Sequence, residues 1–253
     1  MNSDYHNILL LGSLLSTTFV GPSTPRKLVA FGAGKQIGAH LDLFIRHFPS
    51  ISHCTIVNRT INVRSNFLKE TIKARFNHIN LRVISSQEED NNQDSRQMED
   101  AVRSADVIIC ATSSTVPLFP SSWVRTGTHV ILIGSFTPAM REVERELVLR
   151  AVQSPACLLV DFRKACLEEA GELIDAGVEP HQLTEIGELV NTICPILSYH
   201  RDGRPGKNGF DGPITMFKSV GVGLQDVAIA CAVVGHALSR SDGTVIEHYD
   251  CLT

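Results

Sequence analysis

The sequence lacks the features that mark several common classes of protein. Its seven cysteines include no Cys-x-x-Cys pair, and its ten histidines are scattered, so no metal site is expected. It has no recognisable Ser-His-Asp or paired-carboxylate arrangement and no internal repeat. Basic residues are not in excess either, since 23 Lys and Arg against 27 Asp and Glu give a net charge of −4. That balance argues against nucleic acid or an acidic membrane surface as a main partner.

Long apolar runs are also missing. The apolar run at residues 8–15 is too short to span a membrane, and Asp4 without any lysine or arginine precedes it, unlike a signal peptide. We expect instead a helix that packs on the first strand. Most cysteines lie in apolar segments and their number is odd, so we interpret them as reduced, buried thiols of a cytoplasmic protein.

A strand that runs directly into a glycine turn is the most informative feature present. After residues 27–31 the glycines follow the spacing Gly-x-Gly-x-x-x-Gly, and an amphipathic helix comes next. Glycines let the backbone approach a pyrophosphate, and the helix N-terminus offers free N–H groups to it. We interpret the turn as a dinucleotide site, and a purely structural turn is the alternative. The residues predicted to bind the cofactor here are Gly32, Ala33, Gly34, Lys35 and Gln36.

Apolar strands and helices alternate up to residue 161. Such continuous apolar strands are typical of a parallel sheet covered on both faces, and right-handed crossovers make it a doubly wound α/β fold. A helix is predicted over 62–76 and a solvated loop over 86–96. The predicted strands after the first are 53–57, 81–84, 106–110, 128–133 and 156–161.

The character of the chain changes after residue 161. Acidic helices are predicted at 167–176 and 181–190, a turn-rich loop at 202–209, and a strand-to-helix turn at 214–221. The helix predicted at 220–238 is apolar around most of its circumference and needs burial on more than one side. The predicted division is an N-terminal helix and linker at 1–25, a dinucleotide-binding Rossmann domain at 26–195, and a C-terminal loop and helix at 196–253.

The residues after the second strand bear on the choice of cofactor. NAD sites usually place an acidic residue there to bind the ribose 2′-hydroxyl, whereas this chain has Asn58, Arg59 and Thr60. A guanidinium, a hydroxyl and an amide suit a 2′-phosphate, because charge-assisted hydrogen bonds replace repulsion. The alternative is a surface arginine beside a Thr60 helix cap. We expect NADP(H) in preference to NAD(H).

Two further turns follow predicted strands and offer small hydroxyl residues. Thr112 and Ser113 come after the fourth strand, and Ser135 comes after the fifth. Side chains there are expected to line the cofactor crevice at the topological switch point, with simple helix capping as the alternative. Lys218, beside a later glycine turn, is a candidate for the nicotinamide side, and a solvated lysine is its alternative.

With these pieces in place, the chain resembles the ornithine cyclodeaminase/μ-crystallin family over about residues 13–238. Each matching stretch is modest, but the stretches occur in order and at family-like spacing. They are 31–36, 58–60, 106–112, Gly134-Ser135 with Pro138 and Glu142, Val160-Asp161, 168–172, 185–188 and 217–221.

The resemblance implies a Rossmann domain joined to a substrate and dimerisation domain built mainly from the N-terminal part of the chain. Members act on small amino or imino acids with NAD(P), as ornithine cyclodeaminases, alanine dehydrogenases or ketimine reductases. Three departures matter here. The family's N-terminal domain, with its carboxylate ligands, would precede residue 1. The family's Arg-Thr pair falls at Ile8-Leu9, and the cyclodeaminase aspartate falls at Phe136.

A phenyl ring at residue 136 cannot act as a base, so cyclodeamination of ornithine is disfavoured. The leading hypothesis is an NADPH-dependent oxidoreductase that reduces a cyclic ketimine or a related small imino acid. Two alternatives stay open: a cyclodeaminase-type lyase, and a catalytically inert NADP-binding member of the family. The resemblance also implies a homodimer, or a chain that self-associates through the helix at 220–238.

Overall fold

Most strands form where the sequence is continuously apolar; the strands at the two edges of the sheet also contain polar residues. The computed structural model describes residues 7–87, 92–153, 157–191, 213–221 and 223–244. The strands are β1 (Lys27–Phe31), β2 (His53–Asn58), β3 (Asn80–Ser85), β4 (Val107–Cys110), β5 (His129–Leu132), β6 (Leu158–Val160), β7 (Thr184–Glu185) and β8 (Thr215–Lys218). The helices are α1 (Asn7–Val20), α2 (Lys35–His47), α3 (Val63–Arg75), α4 (Asn92–Ser104), α5 (Arg145–Ala151), α6 (Arg163–Glu169), α7 (Gly171–Ala176), α8 (Ile186–Asn191) and α9 (Gly223–Arg240).

The described strands form one parallel sheet in the order β3-β2-β1-β4-β5-β8-β6-β7. The order reverses between β1 and β4, where Phe31 lies opposite Cys110. In a doubly wound sheet this reversal opens a crevice at the carboxyl ends of the two strands. The predicted fold class is confirmed. The segment 196–253 was predicted as a separate C-terminal loop and helix. It also contributes strand β8 to the sheet, between β5 and β6.

Both faces of the sheet are covered, as the apolar strands predict. Val29 and Phe31 of β1 belong to one buried cluster, whereas Leu28 and Ala30 belong to the cluster on the other face. Alternate side chains of a strand point to opposite faces, so a strand buried on both faces has no polar side. Each large apolar side chain buried in this way stabilises the fold by about 1.5–3 kcal/mol.

The first helix is present but packs elsewhere than expected. Its main contacts within the sheet are with β5 and β8 rather than with β1, and it also touches α2, α8 and α9. Gly12 permits the close approach, because a Cβ there would lie 2.7 Å from the Phe217 ring. No helix in the described ranges is both long and apolar enough to cross a bilayer.

Three local predictions need correction. The solvated loop predicted at 86–96 gives way to α4 at Asn92, whose polar first turns precede its buried residues Ala101 and Val102. The helix predicted at 167–176 is interrupted at Ala170, and the next helix begins at Gly171, where an added Cβ would lie 1.9 Å from Met140 O. The helix predicted at 181–190 begins only at 186, after strand β7. The loop predicted at 202–209 lies outside the described residues.

The C-terminal helix α9 is largely exposed. Val227, Val234 and Leu238 are 58%, 57% and 63% exposed, and their spacing places them along one line of the helix surface. We call these three residues the α9 stripe. Cys231 on the same helix is also exposed, so the expectation of buried thiols is wrong for it. It is correct for Cys54, whose pKa burial raises to about 12, and for the other described cysteines, which are Cys110, Cys157 and Cys166.

Candidate functional site

The glycine turn forms an open cradle at the N-terminus of α2. Gly32 has φ 109° and donates its N–H to Val57 O at 2.8 Å, and a Cβ on it would lie 3.0 Å from Ala111 O. Gly34 is the N-cap of α2, with no side-chain cap and no atom within 4 Å of a Cβ placed on it. The first-turn N–H groups of this 13-residue helix therefore receive no side-chain cap, which leaves them as donors for an anion.

The turn after β2 lies directly beside this cradle. Asn58 Nδ2 donates to Thr60 O at 2.8 Å, and Ser85 Oγ donates to Arg59 O at 2.9 Å, so the turn is held at both ends. The cap of α3 is Asn62 rather than Thr60. The side chains of Arg59 and Thr60 are exposed, and Arg59 forms no ion pair with any residue in the described ranges. Its guanidinium is thus available to an anion.

A cavity of about 420 Å³ opens at the carboxyl ends of β4, β5 and β8, and Gln36 in the first turn of α2 also lines it. The buried Gln36 Oε1 has no hydrogen-bond partner among the described residues, which leaves a polar atom available to a ligand. The cavity brings together three residues that were predicted separately: Gln36, Thr112 and Ser113. Its full lining is Gln36, Ala111, Thr112, Ser113, Ile133, Gly134, Phe136, Ser219 and Val220.

The cradle, the exposed arginine and the cavity together fit a dinucleotide. The cradle offers the α2 N–H groups to a phosphate, and the exposed Arg59 guanidinium adds a positive charge nearby. The apolar part of the cavity wall is formed by Ile133, Phe136 and Val220. Among the described residues no group of three or more His, Cys, Asp and Glu side chains is placed to hold a metal ion.

Two of the predicted cofactor ligands turn out to be core residues. Lys218 is fully buried: its Nζ donates to Ser135 O and lies 3.1 Å from Glu172 Oε1, which is also fully buried. The Ser135 hydroxyl is buried as well and donates to Met140 O at 2.9 Å. Since β8 is buried on both faces, the lysine at its end points into the protein. Neither polar group is available to a ligand in this arrangement.

One carboxylate that sequence reasoning left without a role connects the crevice loops. Glu142 Oε1 accepts from Thr112 N at 2.7 Å and from Thr112 Oγ1 at 2.8 Å, while Oε2 accepts from Gly134 N at 2.8 Å. Thr112 and Ser135 therefore do not cap helices, which was the alternative for both turns. The only hint in the sequence was that Glu142 lies within the family-like stretches.

A second carboxylate holds the turn after β8. Asp161 Oδ2 accepts from Ser219 Oγ at 2.6 Å and from Gly221 N at 2.9 Å. Its Oδ1 accepts from Phe162 N at 2.7 Å and lies 3.2 Å from Cys166 Sγ. Because Ser219 lines the cavity, its hydrogen bond to Asp161 fixes the part of the cavity wall that follows β8. The described lining itself contains no titratable side chain.

Comparison with known proteins agrees with this geometry. Ketimine reductase mu-crystallin of Macropus fuliginosus is 32% identical over 218 residues, which cover 86% of this chain and 57% of that protein. Delta(1)-pyrroline-2-carboxylate reductase of Bacillus cereus is 32% identical over 151 residues, covering 58% of this chain and 42% of that protein. The chain therefore matches about half the length of these relatives, 57% of the first and 42% of the second.

Solved structures superpose over nearly the whole chain. Thermococcus litoralis Delta(1)-pyrroline-2-carboxylate reductase, in complex with NADH and L-proline, gives a TM-score of 0.71 at 22% identity, covering 94% of this chain and 66% of that one. An archaeal alanine dehydrogenase dimer with bound NAD gives 0.72 at 22% identity, covering 95% and 66%. At this identity the superpositions establish the fold alone. The sequence model of the Ornithine cyclodeaminase/mu-crystallin family matches residues 12–241, and the chain belongs to that family.

Proposed function

We propose that this chain binds a nicotinamide dinucleotide in the cavity at the β1–β4 crevice and takes part in the reduction of a small cyclic imino acid. The observation that carries the proposal is the uncapped N-terminus of α2 next to a cavity of about 420 Å³ that is lined by Gln36 of the same helical turn. Relatives named as ketimine and pyrroline-2-carboxylate reductases support the choice of reaction. The four buried free cysteines suit a reducing, cytoplasmic setting.

The proposed cofactor is NADP(H) in preference to NAD(H). Arg59 and Thr60 stand where an acidic residue would bind a 2′-hydroxyl, and the exposed guanidinium has no described acidic partner. A lost charge-assisted hydrogen bond costs about 2 kcal/mol, which is close to thirtyfold in affinity.

Titration with NADPH and with NADH tests this preference through intrinsic fluorescence. Arg59→Asp should weaken NADPH selectively and leave NADH nearly unchanged. Arg64→Asp on α3 carries the same charge change and serves as the matched control. Tighter binding of NADH by the unaltered chain, or equal loss in both variants, would contradict the assignment.

The chain's own residues would act by placement and by exclusion of water. A bound nicotinamide cofactor supplies the hydride that the carbon of a C=N bond accepts. The N–H groups of α2 and the Arg59 side chain would fix the phosphates, while Ile133, Phe136 and Val220 would keep water from the reacting face. Phe136 is half exposed at the cavity and carries no proton acceptor, which weighs against cyclodeamination of ornithine.

A catalytically inert, cofactor-binding protein is the second candidate. Its support is the described cavity lining, which contains no cation to hold a substrate carboxylate. Loss of NADPH absorbance with pyrroline-2-carboxylate or its six-membered homologue separates the two candidates. Turnover supports the reductase, whereas tight NADPH binding without turnover supports the inert form. Proline formation from ornithine with catalytic cofactor would instead favour the lyase.

A further inference from the structure

Two of the loops that line the cavity, those after β4 and β5, are connected by one buried side chain. Glu142 is fully buried and does not line the cavity, yet its two carboxylate oxygens accept from both loops. Oε1 takes the backbone N–H and the hydroxyl of Thr112, and Oε2 takes the backbone N–H of Gly134. Thr112 follows β4 and Gly134 follows β5, so the carboxylate bridges the ends of neighbouring strands.

The backbones of the two loops are also in direct contact, at Thr112 and Gly134. A Cβ on Gly134 would lie 1.9 Å from Thr112 O and 2.3 Å from Thr112 N. Two backbone segments held so closely must have their N–H groups satisfied by something small and rich in acceptors. A carboxylate has acceptors on both oxygens, whereas an amide of the same shape has an acceptor on one arm and a donor on the other.

The charge of Glu142 is balanced from within the core. Burial raises the pKa of Glu142, while the Lys218 ammonium and the hydrogen bonds from Thr112 and Gly134 oppose that rise. Lys218 is held in turn by Ser135 O and by Glu172, both on the interior side of the crevice. Lys218, which was predicted to lie at the cofactor, therefore interacts with buried groups instead: Ser135 O, Glu172 and the charge of Glu142.

We propose that Glu142 is a positioning residue that sets the width of the cofactor crevice by tying the Thr112 and Gly134 loops together. It acts through those loops and does not touch the ligand. The inference rests on the proposed function, since it requires a nicotinamide dinucleotide to occupy this cavity.

The test compares Glu142→Gln with Glu144→Gln. Glu144 is a nearby carboxylate that accepts one backbone N–H, from Ser121 at 2.6 Å, away from the cavity. Glutamine at 142 leaves one loop facing a donor, and an unsatisfied buried N–H weakens the arrangement enough to lower affinity about tenfold. We expect NADPH to bind about tenfold more weakly to Glu142→Gln and to bind Glu144→Gln with nearly unchanged affinity.

Amide signals of the cofactor-free protein give a second readout. An N–H bound to a carboxylate resonates downfield and exchanges slowly, so Glu142→Gln should shift the Thr112 or Gly134 amide and speed its exchange. Glu144→Gln should move only Ser121. Altered amides with unchanged NADPH affinity would overturn the positioning role and leave the proposed function standing. Failure of the unaltered chain to bind NADPH or NADH would overturn both proposals.

Thr112→Val keeps the test informative if Glu142→Gln does not fold. It removes only the hydroxyl donor and leaves both backbone N–H bonds to Glu142 in place. The expected loss of NADPH affinity is about threefold, because the two backbone N–H bonds to Glu142 still connect the loops. Thr112→Ser, which restores the hydroxyl, should recover most of it. Equal NADPH affinities for the valine and serine variants would contradict the positioning role of Glu142.

Discussion

Two buried histidines should make this protein lose stability as the solution becomes mildly acidic. His40 Nε2 lies 3.0 Å from Ser13 Oγ, and its Nδ1 lies 2.8 Å from Gln36 O, which can only accept. His129 Nε2 lies 3.1 Å from Ser16 Oγ on the same helix, α1. Both rings are fully buried, and burial lowers the pKa of His40 to about 4 and that of His129 to about 3.

The direction follows from proton uptake by the unfolded chain. Both histidines start from an ordinary pKa of 6.5, so above that pH neither state is protonated and stability is unaffected. As pH falls below 6.5 the unfolded chain binds two protons that the folded protein refuses until about pH 4 and about pH 3. Each histidine then costs about 1.4 kcal/mol per pH unit, which gives about 4 kcal/mol for the pair at about pH 5.

Two carboxyl groups also have shifted pKa values, and the shifts are in opposite directions. The arginines Arg46 and Arg75 hold the pKa of Asp42 down against its partial burial, so its contribution to stability is lost only at lower pH. The raised pKa of Glu142 acts in the opposite direction, because the folded state then takes up a proton first. Proton uptake by Glu142 opposes the effect of the histidines, so substitution of His40 and His129 is what isolates their share of the pH dependence.

Urea unfolding at successive pH values measures the effect directly. We expect the free energy of unfolding to fall by about 2.5 kcal/mol per pH unit near pH 5.5, a large share of the total for a domain of this kind. His40→Gln and His129→Gln should each remove about half of that slope, and His181→Gln, at an exposed ring, is the control. A flat profile, or an equal slope in all variants, would refute the reasoning.

Three further predictions follow from packing, capping and exposure. Gly134→Ala should lower the free energy of unfolding by about 3 kcal/mol in urea, because its Cβ would lie 1.9 Å from the backbone of the loop after β4. Asn62→Ala should cost about 1 kcal/mol in the same assay, since it removes the reciprocal cap of α3. We also expect the chain to self-associate at micromolar concentration, and polar replacement of Val227, Val234 and Leu238 together should reduce light scattering.

Each of these has a matched control. Gly187→Ala on α8 adds a Cβ with no atom within 4 Å, so it should be neutral or slightly stabilising. Asn62→Asp keeps the acceptor and should retain most of the cap. Val63 and Phe67 on α3 are 86% and 72% exposed, and replacing them tests whether any apolar surface suffices. A stable monomer of the unaltered chain would show that the α9 stripe does not drive association.

The architecture could be predicted because its causes are local. Most strands are apolar and can be recognised without knowing their neighbours, and the glycine turn at Gly32 marks where β1 ends and α2 begins. The two-residue strand β7, Thr184–Glu185, has no such pattern and was predicted as part of a helix. Parallel pairing then follows from the helices between strands. The start of α4 was missed for the opposite reason: its first turns are polar, and buried residues such as Ala101 come only near its end.

The direction of single side chains could not be predicted in the same way. Lys218 ends β8 and Ser135 follows β5, both at the carboxyl edge of the sheet, where ligands of doubly wound folds bind, but β8 is buried on both faces. Which way a side chain points there depends on partners far along the chain. Lys218 meets Glu172, and Thr112 meets Glu142 across 30 residues. A buried charge is tolerated only with such partners, and sequence spacing does not reveal them.

The same contacts explain why most of the chain resembles the family although Phe136 departs from the cyclodeaminase pattern. Glu142, Asp161, Glu172 and Lys218 all lie within the family-like stretches, and each connects loops or strand ends behind the cavity. Such residues fix the shape of the crevice and do not determine which substrate binds in it. The choice of reaction depends instead on the groups that face the cavity, and Phe136 is where this chain departs from the cyclodeaminase pattern.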